Sequence, residues 1–191
     1  MEQKTVYFEK PGGEENTHKT LALAKARADE LGIKTVIVAT TEGKTGAKAV
    51  GVFKGFKVIV VTHVAGFLEP NTQELTPENR KAIEAGKGII LTAAHVFGGL
   101  QRALAATMPA PPSQAIGDVI AMTLRMFGQG TKVACEIAAM AADAGLVRVD
   151  EEIISIGGTG RGADTAIVLQ PNYVHRFFNT RVKEIICKPR M

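Results

Sequence analysis

Three continuous β-branched runs, separated by stretches with helical spacing, constrain this chain more than any other feature. Thr35-Val36-Ile37-Val38-Ala39, Val58-Ile59-Val60-Val61 and Gly88-Ile89-Ile90-Leu91 carry no polar alternation. A strand that is apolar on both faces needs cover on both faces, which is the pattern of parallel strands in α/β sheets. Between the runs lies helical punctuation. Leu21, Ala24, Ala28 and Leu31 form a stripe that Gly32 ends, and Asn16 or Thr17 is expected to cap that helix. A second helix is expected from the Thr40–Thr45 loop through Phe53. A third starts at Thr76-Pro77-Glu78, with Thr as cap and Pro in the first turn, and closes at Gly86. With Lys4–Phe8 as a first strand, the β-α-β-α-β order predicts an α/β fold. The expected architecture is three layers, α/β/α, around a mostly parallel mixed sheet.

The second half continues the theme. Ser113 is expected to open a helix carrying Ile116, Val119, Ile120, Thr123 and Phe127. Another spans Gly130–Ala144 with Val133, Ile137, Met140 and Ala144 aligned. Both stripes read as core-facing. Ile153–Ile156, Thr165–Leu169 and Val182–Cys187 read as the remaining strands. No proline-rich or polar linker divides the chain, so residues 1–191 are expected to form one domain.

Several function classes are disfavoured. The net charge of +4 is small and dispersed, and aromatic residues make up only 5% with no Trp. Neither a clustered basic face nor a base-stacking platform is present, so no nucleic-acid partner is expected. Cys135 and Cys187 fit no zinc spacing and read as buried thiols, and no metal is expected. No apolar run approaches the ~20 residues of a membrane helix, and the first residues are charged. A cytoplasmic protein with no membrane partner is therefore expected; a homo-oligomer is left open.

Polar and glycine residues gather at the expected carboxyl ends of the strands, where open α/β sheets bind ligands. Asn16 and Thr17 follow the first strand. Thr40-Thr41-Glu42-Gly43-Lys44-Thr45-Gly46 follows the second. His63, Gly66 and Phe67 follow the third, His95 the fourth, and Gly158-Thr159-Gly160-Arg161 a later one. The Thr40–Gly46 loop joins a buried strand to a helix start, whose free N–H groups favour an anion. Gly43 and Gly46 are expected to let the backbone approach that anion.

One familiar motif is excluded and a second is disfavoured. Gly43-Lys44-Thr45 resembles the end of a P-loop, but the first required glycine is replaced by Val38. Gly158–Ala163 matches a dinucleotide fingerprint in letters, yet a strand rather than a helix follows it. A glycine loop close to a ligand or to another backbone fits better. The catalytic residues stay unassigned. His63, His95, Glu15, Glu42 and Asp164 are candidates, and no spacing pairs two of them on one element.

Thr40–Ala47 followed by the Phe53–Thr62 segment FKGFKVIVVT resembles the carboxy-terminal domain of pyruvate kinase. There a Thr-x-Ser-Gly-Arg-Ser-Ala loop holds a regulatory sugar phosphate in some members. Here Glu42, Lys44 and Gly46 depart from that pattern. The whole chain is similar to stand-alone proteins with a pyruvate-kinase carboxy-terminal-like fold. Glu15-Asn16-Thr17, Gly43-Lys44-Thr45, Thr62-His63, Gly66-Phe67, Gly130-Thr131-Lys132-Val133 and Gly157–Thr165 carry that likeness. The resemblance implies FMN as cofactor and no pyruvate kinase activity. FMN binding at the strand ends is the expected function, with a flavin-dependent oxidoreductase as one outcome. The alternative is a regulatory module that senses a phosphorylated metabolite, and a purely structural rim is a third class.

Overall fold

A computed structural model describes residues 4–107 and 116–190. Seven strands form one sheet: β1 (Val6–Phe8), β2 (Thr35–Ala39), β3 (Lys57–Thr62), β4 (Ile89–Thr92), β5 (Ile153–Gly157), β6 (Thr165–Gln170) and β7 (Arg181–Pro189). Their spatial order is β1-β7-β6-β5-β2-β3-β4. β6 alone runs antiparallel to its neighbours, β5 and β7; every other pair is parallel. The carboxyl ends of the other six strands therefore share one rim, and the β5–β6 hairpin turns back at that same rim.

The helices are α1 (Glu14–Leu31), α2 (Lys44–Val52), α3 (Pro77–Ala85), α4 (Gly99–Thr107), α5 (Ile116–Arg125) and α6 (Gln129–Asp143), with a 3₁₀ helix at Val174–Asn179. One sheet face presents Val36, Val38, Val58, Val60, Ile154 and Val168 to Leu21 and Ala24 of α1, Val50 of α2 and Ile83 of α3. The other presents Ile37, Ile59, Val61, Ile153, Ile167 and Leu169 to α6. Burying each such Val or Ile side chain contributes about 1.5–3 kcal/mol, so the two-sided apolar runs oblige two helical layers. The three-layer α/β/α expectation with a mixed, mostly parallel sheet is met.

Four local expectations are corrected. Glycine rather than a polar side chain begins α1: Gly13 is its N-cap, and Asn16 and Thr17 lie inside its first turn. Leu31 is half exposed, while Arg27 is buried and donates through Nε and Nη2 to the Glu184 carboxylate of β7, at 2.8 and 2.5 Å, and through Nη1 to Glu30 at 2.7 Å. The α5 stripe is not core: Ile116 is 78% exposed, and only Gly117 and Ala121 are buried. Helix α4 and the 3₁₀ helix were not foreseen. The expected helix start at Ser113 lies outside the described residues.

Helix α6 sits unusually close to the sheet. A Cβ placed on Gly157 would fall 2.3 Å from the Gly130 carbonyl oxygen, and one on Gly130 would fall 2.1 Å from Thr165 Oγ1. Ser155 Oγ donates to the Ala134 carbonyl at 2.8 Å, fastening β5 to α6. Gly51, on the exposed side of α2, has no neighbour within 4 Å of such a Cβ. The same substitution should therefore have opposite signs at the two places. Gly157→Ala is expected to lower the free energy of unfolding by about 1–3 kcal/mol through overpacking. Gly51→Ala is expected to raise it by up to about 1 kcal/mol through helix propensity. Urea titrations of both variants check this.

Candidate functional site

The carboxyl rim begins as a backbone assembly. The β5–β6 hairpin loop folds onto the start of α1, and the fully buried Asp164 joins them. Its Oδ2 accepts the Gly12 N–H at 2.8 Å and the Thr159 N–H at 3.1 Å, and its Oδ1 accepts the Thr165 hydroxyl at 2.7 Å. Thr17 Oγ1 donates to the Gly13 carbonyl at 2.7 Å and accepts the Ala163 N–H at 2.9 Å. The glycines permit this closeness. A Cβ on Gly162, at φ +85°, would lie 2.5 Å from Thr17 Oγ1, and one on Gly158 would lie 2.1 Å from the Gly162 carbonyl. Backbone-to-backbone packing thus explains much of the glycine run.

The Thr40–Gly46 loop is anchored in the same manner. The Thr40 N–H donates to the Val61 carbonyl at 2.9 Å. Asn79 Nδ2 donates to the Glu42 carbonyl at 2.8 Å. Gly43 takes a left-handed conformation, φ 101°, against Leu75 and Asn79. A Cβ on Gly46 would stand 2.6 Å from Val60 on β3. Both glycines thus make room for packing inside the protein.

Between these two assemblies opens a cleft of about 810 Å³, within the ~300–1,000 Å³ of small-molecule sites. Of the residues singled out in the sequence, Thr17, Thr40, Thr41, Lys44, Thr45, His63, Phe67, His95, Gly158, Gly160 and Arg161 line it. Asn16, Gly43, Gly46, Gly66 and Thr159 do not. Asn16 Nδ2 instead donates to the carbonyls of Lys10 and Gly12, and Gly66 sits in a turn closed by its N–H on the Thr72 carbonyl.

The walls have distinct chemistry. Val61, Val133, Ile137 and Met140 make one apolar wall. At the end of β3 the His63, Phe67 and His95 rings cluster, with centroids 4.5 to 5.6 Å apart. The Arg102 guanidinium lies 5.0 Å over the Phe67 ring. Burial pushes the His95 imidazole below its ordinary value, against the pull of Glu136. His63 Nδ1 stands 2.6 Å from Glu74 Oε2. Lys132 and Glu136, both buried, pair on α6, and Glu136 Oε1 accepts the Phe97 N–H at 2.9 Å. Glu74, Arg102, Lys132 and Glu136 were missed as site residues. Lys132 and Glu136 left a signal: they are two charges at i, i+4 in the apolar α6 sequence. Among the described residues, no group of three or more His, Cys, Asp or Glu is placed to hold a metal ion.

Three helices start on this cleft, through Gly13 and Glu14, Lys44 and Thr45, and Gln129. Their starts differ from that of α3, which faces elsewhere. There Thr76 Oγ1 accepts the Asn79 N–H at 3.2 Å, the ordinary side-chain cap. In α2 and α6 the N-caps are Gly43 and Gly128, which have no side chain to cap with, and neither first turn holds an acidic residue; in α2 the Gly46 N–H reaches Thr40 Oγ1 at 3.5 Å. Lys44 occupies the first position of α2. A lysine at a positive helix end is unfavourable by roughly 0.3–1 kcal/mol unless an anion is near. Glu42 supplies part of that anion: it pairs with Lys44 at 3.1 Å and Arg161 at 3.3 Å, and Lys44 above all holds its carboxyl below the usual range. Lys48 pairs with Glu14.

Fold and rim together define an α/β protein with a ligand cleft at the carboxyl ends of parallel strands, bounded by helix starts. The chain belongs to the family described as pyruvate kinase, alpha/beta domain, whose model matches residues 18–169 of the 191. No helix among the described residues is long and apolar enough to cross a membrane.

Asp164 is the test of this rim. Asp164→Ala leaves the Gly12 and Thr159 N–H groups and the Thr165 hydroxyl without their acceptor, a loss of about 1–3 kcal/mol per buried group. The variant is expected to unfold at lower denaturant, and to show faster amide exchange at Gly12 and Thr159 than at Val36 and Ile154. Equal protection at all four would contradict the role assigned to Asp164.

Proposed function

We propose that the cleft binds FMN, with its phosphate at the first turn of α2 and its ring system along the apolar wall. The observation that carries the reading is the pair of glycine-capped helix starts, α2 and α6, open to one cleft and bearing lysine where carboxylates are ordinarily favoured. A phosphate at α2 would receive N–H groups of the first turn and the hydroxyls of Thr41 and Thr45, and would draw Lys44 and Arg161 away from Glu42. The wall of Val61, Val133, Ile137 and Met140 suits a flat apolar ring. That wall favours a flavin over a sugar phosphate, the ligand of the regulatory reading. A bound flavin brings its own redox chemistry, and the chain supplies position and electrostatics.

Titrations that follow flavin fluorescence test this with FMN, riboflavin and inorganic phosphate as competitor. The wild type is expected to bind FMN at least tenfold more tightly than riboflavin, which lacks the phosphate. The Thr41→Val, Thr45→Val double variant is expected to lose roughly tenfold or more toward FMN, the scale of hydrogen bonds to a charged group, and to keep its riboflavin affinity. Equal affinity of the wild type for FMN and riboflavin would overturn the placement of the phosphate. Absence of any flavin binding would overturn the reading as a whole.

A further inference from the structure

The His63 ring is held on three sides. Its Nδ1 lies 2.6 Å from Glu74 Oε2, and its ring centroid lies 4.5 Å from that of the tilted Phe67 ring and 5.4 Å from that of the His95 ring, which it meets in a T-shaped arrangement. The backbone is held as well: the His63 carbonyl accepts Gln73 Nε2 at 3.1 Å and the Thr62 hydroxyl at 3.0 Å. Glu74 is more enclosed than its partner, with 15% of its side chain exposed against 32% for His63. The carboxylate offers only acceptors, so Nδ1 carries the shared proton. In the neutral ring, Nε2 is then a lone pair. It points away from Glu74, on a side chain that lines the cleft, and has no hydrogen-bond partner among the described residues.

We infer that Glu74 fixes His63 as a hydrogen-bond acceptor, so that this end of the cleft reads an N–H donor on a planar ring. The inference rests on the proposed FMN reading and deepens it. An oxidised flavin ring has one N–H, the imide at N3, and that group is assigned to His63 Nε2. A site built to pair a ligand N–H discriminates against an analogue lacking it, because the imidazole lone pair is left buried and unpaired. Glu74 acts through His63 and is a positioning residue.

The probes are FMN and N3-methyl-FMN, compared on the wild type, Glu74→Gln and His63→Ala by fluorescence titration. The wild type is expected to prefer FMN by roughly tenfold or more. Glu74→Gln keeps size and hydrogen bonding, yet its amide can donate to Nδ1 and so release the other tautomer. Its preference should fall to about threefold or less, as should that of His63→Ala, while the advantage of FMN over riboflavin is unchanged in both. A wild type that binds FMN and N3-methyl-FMN alike overturns the inference and leaves the FMN reading standing. A preference that survives in both variants overturns it too, since that preference is then steric or belongs to another residue. A wild type that binds no flavin overturns both.

Discussion

One buried carboxylate holds the rim together. Asp164 has no exposed surface and receives donors from the β1–α1 loop, from the β5–β6 loop and from β6 itself. Such a group is tolerated in a protein interior only when its lone pairs are met, and here three donors meet them. The consequence is geometric. β6 is the one antiparallel strand, so the β5–β6 hairpin turns at the carboxyl rim instead of crossing to the far edge. Asp164 then pulls that hairpin onto the start of α1, and Gly130 and Gly157 let α6 settle beside it. The positions of the α1 and α6 starts follow from these contacts.

The arrangement leaves an electrostatic imbalance that the chain meets only in part. Where α1 opens on the cleft it carries Glu14 and Glu15, which suit a positive helix end. Helices α2 and α6 carry no acidic residue in the first turn and glycine at the N-cap. Glu42 and Glu14 bind the nearby cations from outside those helices. Glu42 thus sits where Lys44 and Arg161 converge, yet the cleft lining still carries six basic side chains against three acidic ones.

The fold was legible because the strands are apolar on both faces, and runs as short and β-branched as Val36–Val38 and Val58–Val61 suit a covered sheet better than a helix. The rim was legible because its residues follow strands directly: Thr40, His63 and His95 could be located by counting from the ends of β2, β3 and β4. Glycine roles were not legible. Gly43 and Gly46 have the spacing of a ligand loop, yet their missing side chains make room for Leu75, Asn79 and Val60, and only three-dimensional packing shows that. The stripe of α5 misled for a related reason: helical periodicity shows that one face is apolar but not what covers it. Glu74 escaped notice because it lies in a loop eleven residues beyond His63, where no periodicity links the two. The family match over residues 18–169 agrees with the part of the chain whose pattern was clearest.

The most direct measurement of the central claim is the visible absorption spectrum of the protein purified under gentle conditions, with the mass of whatever it releases on denaturation. A cleft that holds FMN predicts a yellow protein with flavin absorption bands and a released molecule of the mass of FMN. A colourless protein that releases no flavin, and whose spectrum with added FMN is the sum of the separate components, would contradict the account.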